Sequence, residues 1–228
     1  VGESVTPLPL GDESRIGLAL GGGAARGFAH VGVIQVLEEA GIRPQFVVGT
    51  SAGSLVAALY ASGMQAAELK KTAISMQEAA ITDWLLPIFN RGALKGDALA
   101  QYVNQQVQSR SIENMSLPLG IVATDLRTGE ASSAVPGVFL PVKIGDREYV
   151  DGGLVAPVPV QQARQMGANF VIAVDISSDP QSGDTGDVFK ILLQTFTIMG
   201  RSINALALRQ ADLVVRPSLN GVGSADFA

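Results

Sequence analysis

The pentapeptide Gly49-Thr50-Ser51-Ala52-Gly53 constrains the fold more than any other stretch of this chain. The apolar run Phe46-Val47-Val48 leads into it and Ser54-Leu55-Val56-Ala57-Ala58-Leu59-Tyr60 leads out, so the pattern predicts a strand, a sharp turn and a helix. A turn that tight brings side chains beside the serine against neighbouring backbone, and Gly49, Ala52 and Gly53 are the small residues it requires. Ser51 then stands at a helix N-terminus, where unpaired N–H groups and the positive end of the helix dipole favour developing negative charge. It is the candidate nucleophile.

The same pattern occurs once before. Arg15-Ile16-Gly17-Leu18-Ala19-Leu20 reads as a short buried strand running into Gly21-Gly22-Gly23-Ala24-Ala25-Arg26-Gly27. A helix follows, with Val33, Ile34, Val36 and Leu37 on its buried face and Gly41 at its C-terminal cap. Two strand-loop-helix units in succession predict an α/β fold, a mainly parallel sheet with helices on both faces. Further helices are expected over 64–76, 97–107 (opened by Asp97), 160–166 and 188–208, the last one amphipathic and read as core or dimer contact rather than membrane anchor. Leu119 to Thr124, Phe170 to Val174 and Leu213 to Val215 read as strands, and 142–144 with 147–150 as a hairpin through Gly145-Asp146. Residues 1–14 read as an extended arm and 15–228 as one domain without linker or internal repeat.

Composition narrows the chemistry. A net charge of −5, from 21 acidic and 16 basic residues, lacks the footprint of a nucleic-acid binder. With no cysteine and one histidine there is no thiolate or histidine-based metal site to expect, and no redox clue to the compartment, which stays open. No apolar run approaches the ~20 residues of a membrane-spanning helix. A domain lying at a membrane surface is compatible with that.

A serine hydroxyl needs a base and a site for the oxyanion. No histidine follows Ser51, and His30 precedes it on the first helix, where it is expected to be carried away from the strand ends as a structural residue. A triad in the order serine, acid, histidine is excluded by counting. The best remaining base is Asp151, which closes the second hairpin strand and is followed by Gly152-Gly153, where the backbone can turn sharply. An aspartate in water, with a pKa near ~3.9, is a poor base, so this role calls for partial burial. The N–H groups of the loop 21–27 can converge on a negative oxygen, with Gly22 and Gly23 the first choices as donors.

The glycine loop 21–27, the elbow 49–53 and Asp151-Gly152-Gly153 resemble, in order and context, the three motifs of the patatin-like phospholipases, most closely the bacterial branch, over roughly residues 16–174. The resemblance implies a three-layer α/β/α fold and a Ser-Asp dyad of Ser51 and Asp151. It also implies hydrolysis of phospholipids or other acyl-ester lipids with no metal or organic cofactor. A non-catalytic lipid-binding protein of the same fold, or a soluble esterase or thioesterase, is the alternative, and a homo-oligomer stays open.

Two departures stand out. Many members have glycine where this chain has Ala24, which still offers its N–H but is strained if the position needs a positive φ. Members also have another strand and a longer loop before the segment resembling Ala131 to Pro136, so a stretch of chain is expected to be missing between Glu130 and Ala131. Arg26 either positions the loop, meets an anionic head group or makes a surface ion pair. The cluster from Trp84 to Phe89 around Pro87 reads as core packing ahead of a membrane-contacting lid.

Overall fold

Side chains alternate across the faces of a strand, and here that alternation sorts the apolar residues of four neighbouring strands into two cores. The computed structural model describes residue 11 and residues 13–85, 97–132, 142–177 and 188–219. Strands β1 (Ile16–Leu20), β2 (Phe46–Thr50), β3 (Leu119–Asp125), β7 (Phe170–Val174) and β8 (Leu213–Val215) run parallel. The short strands β4 (Ala131–Ser132), β5 (Val142–Ile144) and β6 (Arg147–Asp151) pair antiparallel. The order is β5-β6-β3-β2-β1-β7-β8, with β4 on β3.

Leu18, Leu20, Val47, Ile121, Ile172 and Val174 point to one face, and Ala19, Val48, Val122, Val171 and Ala173 to the other. On the first face lie α1 (Ala29–Glu39), α2 (Ala52–Ala61) and α3 (Ala66–Leu85), through Ile34, Leu37, Val56, Leu59 and Leu69. On the second lies α5 (Val160–Gln165), through Val160 and Ala163. Helices α4 (Asp97–Gln106), which packs on α3, and α6 (Val188–Ala207) complete the set. This is the three-layer α/β/α arrangement. The strand order turns back at β1, whose neighbours are β2 and β7, and the ends of parallel strands at such a point are where α/β folds bind ligands.

Most expected elements are present, and the departures have physical causes. Residues 24–28 form a 3-10 turn, so α1 begins only at Ala29. Gly41 closes α1 at φ +72, donating to the Glu38 carbonyl while Ile42 N–H reaches the Leu37 carbonyl, the paired bonds of a glycine C-cap. Val36 is 62% exposed, because Ile34 and Leu37 already fill the face toward the sheet. On α6, Asn204 is buried while Ile198, Met199 and Leu206 are exposed, so the expected apolar face is covered only in part. Residues 86–89 of the Trp84 cluster lie outside the described residues, as do residues 1–10 of the expected arm.

His30 is not carried away from the strand ends. It is fully buried beneath the glycine loop, its Nε2 2.7 Å from the Gly21 carbonyl oxygen. A carbonyl only accepts, so Nε2 bears the proton and Nδ1 the lone pair. Burial pushes the imidazole pKa down from 6.5 to about 4, against the smaller upward pull of the Gly21 bond. The unfolded chain therefore binds a proton that the folded chain refuses, so stability is intact above pH 6.5 and falls as the pH drops toward 4. Roughly 3 kcal/mol should be lost across that window on this account. Urea unfolding at pH 7 and pH 4.5 should show a distinctly smaller acid loss for His30→Gln than for wild type, and equal losses would refute the assignment.

Candidate active site

Three segments meet at the carboxyl ends of the parallel strands, and backbone packed on backbone brings them together. A Cβ on Gly49 would lie 2.4 Å from the Gly53 carbonyl oxygen, and one on Gly53 would lie 2.3 Å from that of Leu20. The elbow can therefore turn only without those side chains, and it turns directly against the end of β1. Ser51 sits at its apex with φ 52 and ψ −124, a conformation that L residues rarely adopt, and it is half-buried. Ser54 N–H and Oγ–H both donate to the Ser51 carbonyl, which ties the apex to the first turn of α2.

Asp151 ends β6 opposite Ala123 of β3. On the other side of β3, Thr50 pairs with Val122, so the chain leaves that edge at Ser51, one register position short of Ala123. Ser51 and Asp151 thus leave from opposite edges of one strand, β3. Among the described residues, the hydrogen bonds of Asp151 are to Gly153 N–H through Oδ1 (2.7 Å) and to Thr124 Oγ1–H through its carbonyl (2.9 Å), and no direct bond links it to Ser51. The absent Cβ of Gly152 would fall 2.4 Å from the Val122 carbonyl oxygen, so this turn too is pressed onto β3.

The glycine loop lies against the candidate nucleophile, a Cβ on Gly22 reaching Ser51 Cβ at 3.3 Å. Its hydrogen bonds correct one expectation. Gly22 N–H donates to the Pro157 carbonyl (2.9 Å) and Gly21 N–H to that of Val174 (3.0 Å), so neither is available as an oxyanion donor. Gly23 and Ala24 come next, at the start of the 3-10 turn, whose first N–H groups have no acceptor within the turn. Gly23 is extended, and a Cβ there would strike Ile176 at 2.7 Å. Ala24 has φ 50, so the strain expected of an alanine at this position is present.

Arg26 is 9% exposed and its Nε–H points at the Gly23 carbonyl (3.5 Å). Burial lowers its pKa and the nearby Asp175 carboxylate opposes that shift. The burial of Arg26 and its bond to the Gly23 carbonyl accord with a role in positioning the loop. Thr50 Oγ1–H donates to the Ala156 carbonyl (2.8 Å) and Asn204 Oδ1 accepts from Val158 N–H (3.0 Å). These two residues, with Pro157, hold the site together. Nothing in their local sequence marks them, because each acts on a partner far along the chain.

At Glu130-Ala131 the chain turns back along β3. Asp125 N–H donates to Glu130 and Gly129 N–H to Asp125, closing a tight hairpin from β3 into β4. Asp125 is 2% exposed, and the N–H of Arg127 above all, with those of Thr128 and the Arg147 guanidinium, holds its carboxyl below the usual range despite burial. Since β6 occupies one edge of β3 at Ala123, β4 lies on the other, where β2 would have continued had it not turned at Ser51. This hairpin therefore borders Ser51.

Among the described residues, no group of three or more His, Asp or Glu side chains could hold a metal ion, and no helix is long and apolar enough to cross a membrane. The strain at Ala24 can be measured. Ala24→Gly should raise the unfolding free energy by about 0.5–1 kcal/mol, relief of the positive φ outweighing the added freedom of the unfolded chain. A loss of stability in urea titrations would mean that the alanine methyl contributes more than its backbone strain.

The chain matches the family model of patatin-like phospholipase over residues 18–130 and 125–164, two pieces that meet at the β3–β4 turn. An uncharacterised NTE family protein of Mycobacterium tuberculosis is 33% identical over 208 aligned positions, covering 84% of this chain and 57% of that protein. Patatin-like phospholipase domain-containing protein 6 of Homo sapiens is 33% identical over 189, covering 73% and 14%, and Lysophospholipase NTE1 of Debaryomyces hansenii 29% over 263, covering 96% and 17%. The chain thus spans little more than half, or far less, of these relatives. Among solved structures, VipD from Legionella pneumophila overlaps with a TM-score of 0.44 at 16% identity, covering 80% of this chain and 52% of that one. With the family model matched over well more than half its length, the chain belongs to the patatin-like phospholipase family.

Proposed function

We propose that this chain is a lipid acyl hydrolase that works through Ser51 and Asp151. The observation that carries the reading is the strained serine at the elbow, packed against a loop whose next N–H groups, Gly23 and Ala24, are not used within their own turn. As Ser51 Oγ attacks the ester carbonyl carbon, its proton passes to Asp151, and the carbonyl oxygen gathers negative charge beside those two donors. The C–O bond to the alcohol then breaks, and the alcohol leaves with the proton from Asp151. Water, giving its proton to Asp151, attacks the acyl-serine, and the acid departs as Ser51 recovers its hydroxyl. Each step conserves protons, and no further cofactor enters.

Phospholipids, lysophospholipids and other acyl-ester lipids are the substrate class, in keeping with the family and with the name of the yeast relative. The missing direct bond between Ser51 and Asp151 is compatible with this role, since catalytic hydrogen bonds often tighten only once substrate is bound. Intact-mass spectrometry after exposure to a fluorophosphonate tests the assignment. Wild type should gain a single adduct, Ser51→Ala none, and Asp151→Asn should label roughly 100-fold or more slowly, in line with loss of a general base. An unlabelled wild type beside a labelled control hydrolase would favour a lipid-binding role without catalysis.

A further inference from the structure

Two buried side chains flank the glycine loop from opposite layers, and neither has a part in the reaction as written. His30 comes from α1 and Asn204 from α6, at 0% and 3% exposure. Among the described residues they carry the two buried side-chain polar atoms that have no hydrogen-bond partner, His30 Nδ1 and Asn204 Nδ2. Each turns its other polar atom inward. His30 Nε2–H donates to the Gly21 carbonyl (2.7 Å), and Asn204 Oδ1 accepts from Val158 N–H (3.0 Å).

Two peptide units lie between them. The Gly21 carbonyl and the Gly22 N–H belong to one planar amide, and the Pro157 carbonyl and Val158 N–H to another. Gly22 N–H donates to the Pro157 carbonyl at 2.9 Å. The result is one unbranched chain of three hydrogen bonds, from the His30 ring through both amides to the Asn204 side chain, with every donor pointing the same way. Bonds in such a line polarise one another and strengthen together. Glycines on both sides of the first amide leave it free to rotate unless both of its ends are held.

We propose that His30 and Asn204 are positioning residues that lock the Gly21–Gly22 amide from the two faces of the sheet and so aim the N–H groups of Gly23 and Ala24 toward Ser51. The inference rests on the reading of that loop as the oxyanion site. Neither residue touches substrate. A leucine at either position removes one end of the line, whereas glutamine at position 30 restores an N–H donor at the place of Nε2.

The test pairs two readouts on the full chain, hydrogen exchange by mass spectrometry over the peptide containing Gly22 to Ala24 and steady-state hydrolysis of a soluble p-nitrophenyl ester. In His30→Leu and Asn204→Leu the loop amides should exchange about 10-fold or more faster while those of β1 and β7 hold their protection. Turnover should fall about 10-fold or more with KM changed less than about 2-fold, the pattern of weakened oxyanion donors. His30→Gln should bring both readouts back to within about 3-fold of wild type. Unchanged exchange and turnover in the leucine variants would overturn the proposal. So would faster exchange throughout the chain in step with a fallen Tm, or a glutamine variant no better than leucine. If wild type hydrolyses no ester, exchange alone decides the lock, and only the hydrolase reading falls.

Discussion

The hydrogen bond from Gly22 N–H to the Pro157 carbonyl fixes the relation between the two halves of the site. Pro157 lies six residues after Asp151, on a segment whose neighbouring carbonyl, that of Ala156, receives Thr50 Oγ1–H one residue before the serine. The segment from Asp151 to Val158 therefore touches every other part of the site. It meets β3 through Gly152, the elbow through Ala156, the loop through Pro157 and α6 through Val158. All of these contacts involve backbone atoms, and that accounts for the small residues at the crossings. Cβ atoms at Gly21, Gly49, Gly53 and Gly152 would each come within 3.0 Å of a neighbouring backbone or side-chain atom.

Of the four described non-glycine residues at positive φ, Ala24 and Ser51 lie where these segments meet, and Gln108 and Ser109 lie just beyond α4. Ser51 and Ala24 both hold positive φ, and Gly22 packs on the Ser51 side chain. Residues held in such conformations typically cost about 1–3 kcal/mol each. The surrounding hydrogen bonds and the two cores must supply that energy, and the cores are suited to it. Leu18, Leu20, Val47, Val48, Val171 and Ile172 are all fully buried, so the strand ends that carry the elbow and the loop cannot relax by shifting. The strain is local, and the scaffold beneath it is stiff.

Much of this was legible in the chain itself. Apolar runs of three to five residues marked β1, β2 and β7, the first two ending in glycine, and Gly145-Asp146 marked the hairpin that delivers Asp151, because these features depend on local sterics and alternation. The donor role expected of Gly22 failed for a different reason. A backbone N–H carries no label in sequence, and its acceptor, Pro157, is far along the chain. His30 departs from its expected place because the 3-10 turn at 24–28 delays the helix and returns the ring beneath the loop. Val36 fits a helical stripe, yet the sheet has room for only part of that stripe. Asn204 sits in a helix read by its apolar face, so a single polar residue pointing inward gave no periodic signal.

The β3–β4 hairpin borders the site without taking part in the contacts that hold it together. Alignment with the Debaryomyces hansenii relative runs over 263 positions, more than the 228 residues here, so that relative carries segments this chain lacks. The family match breaks at 125–130, the turn that Asp125 closes. Loop length at a surface turn changes folding free energy only slowly, roughly as the logarithm of the number of residues. A turn between paired strands can therefore shorten without disturbing the sheet beneath it. Because β4 occupies the line that β2 leaves at Ser51, a change of length here would alter the surroundings of Ser51 and leave its support intact. The elements that hold Ser51, Asp151 and the loop depend on close backbone packing, whereas the hairpin beside them is set by one turn with its own internal bonds. Variation in what enters the site is then physically easiest at that turn.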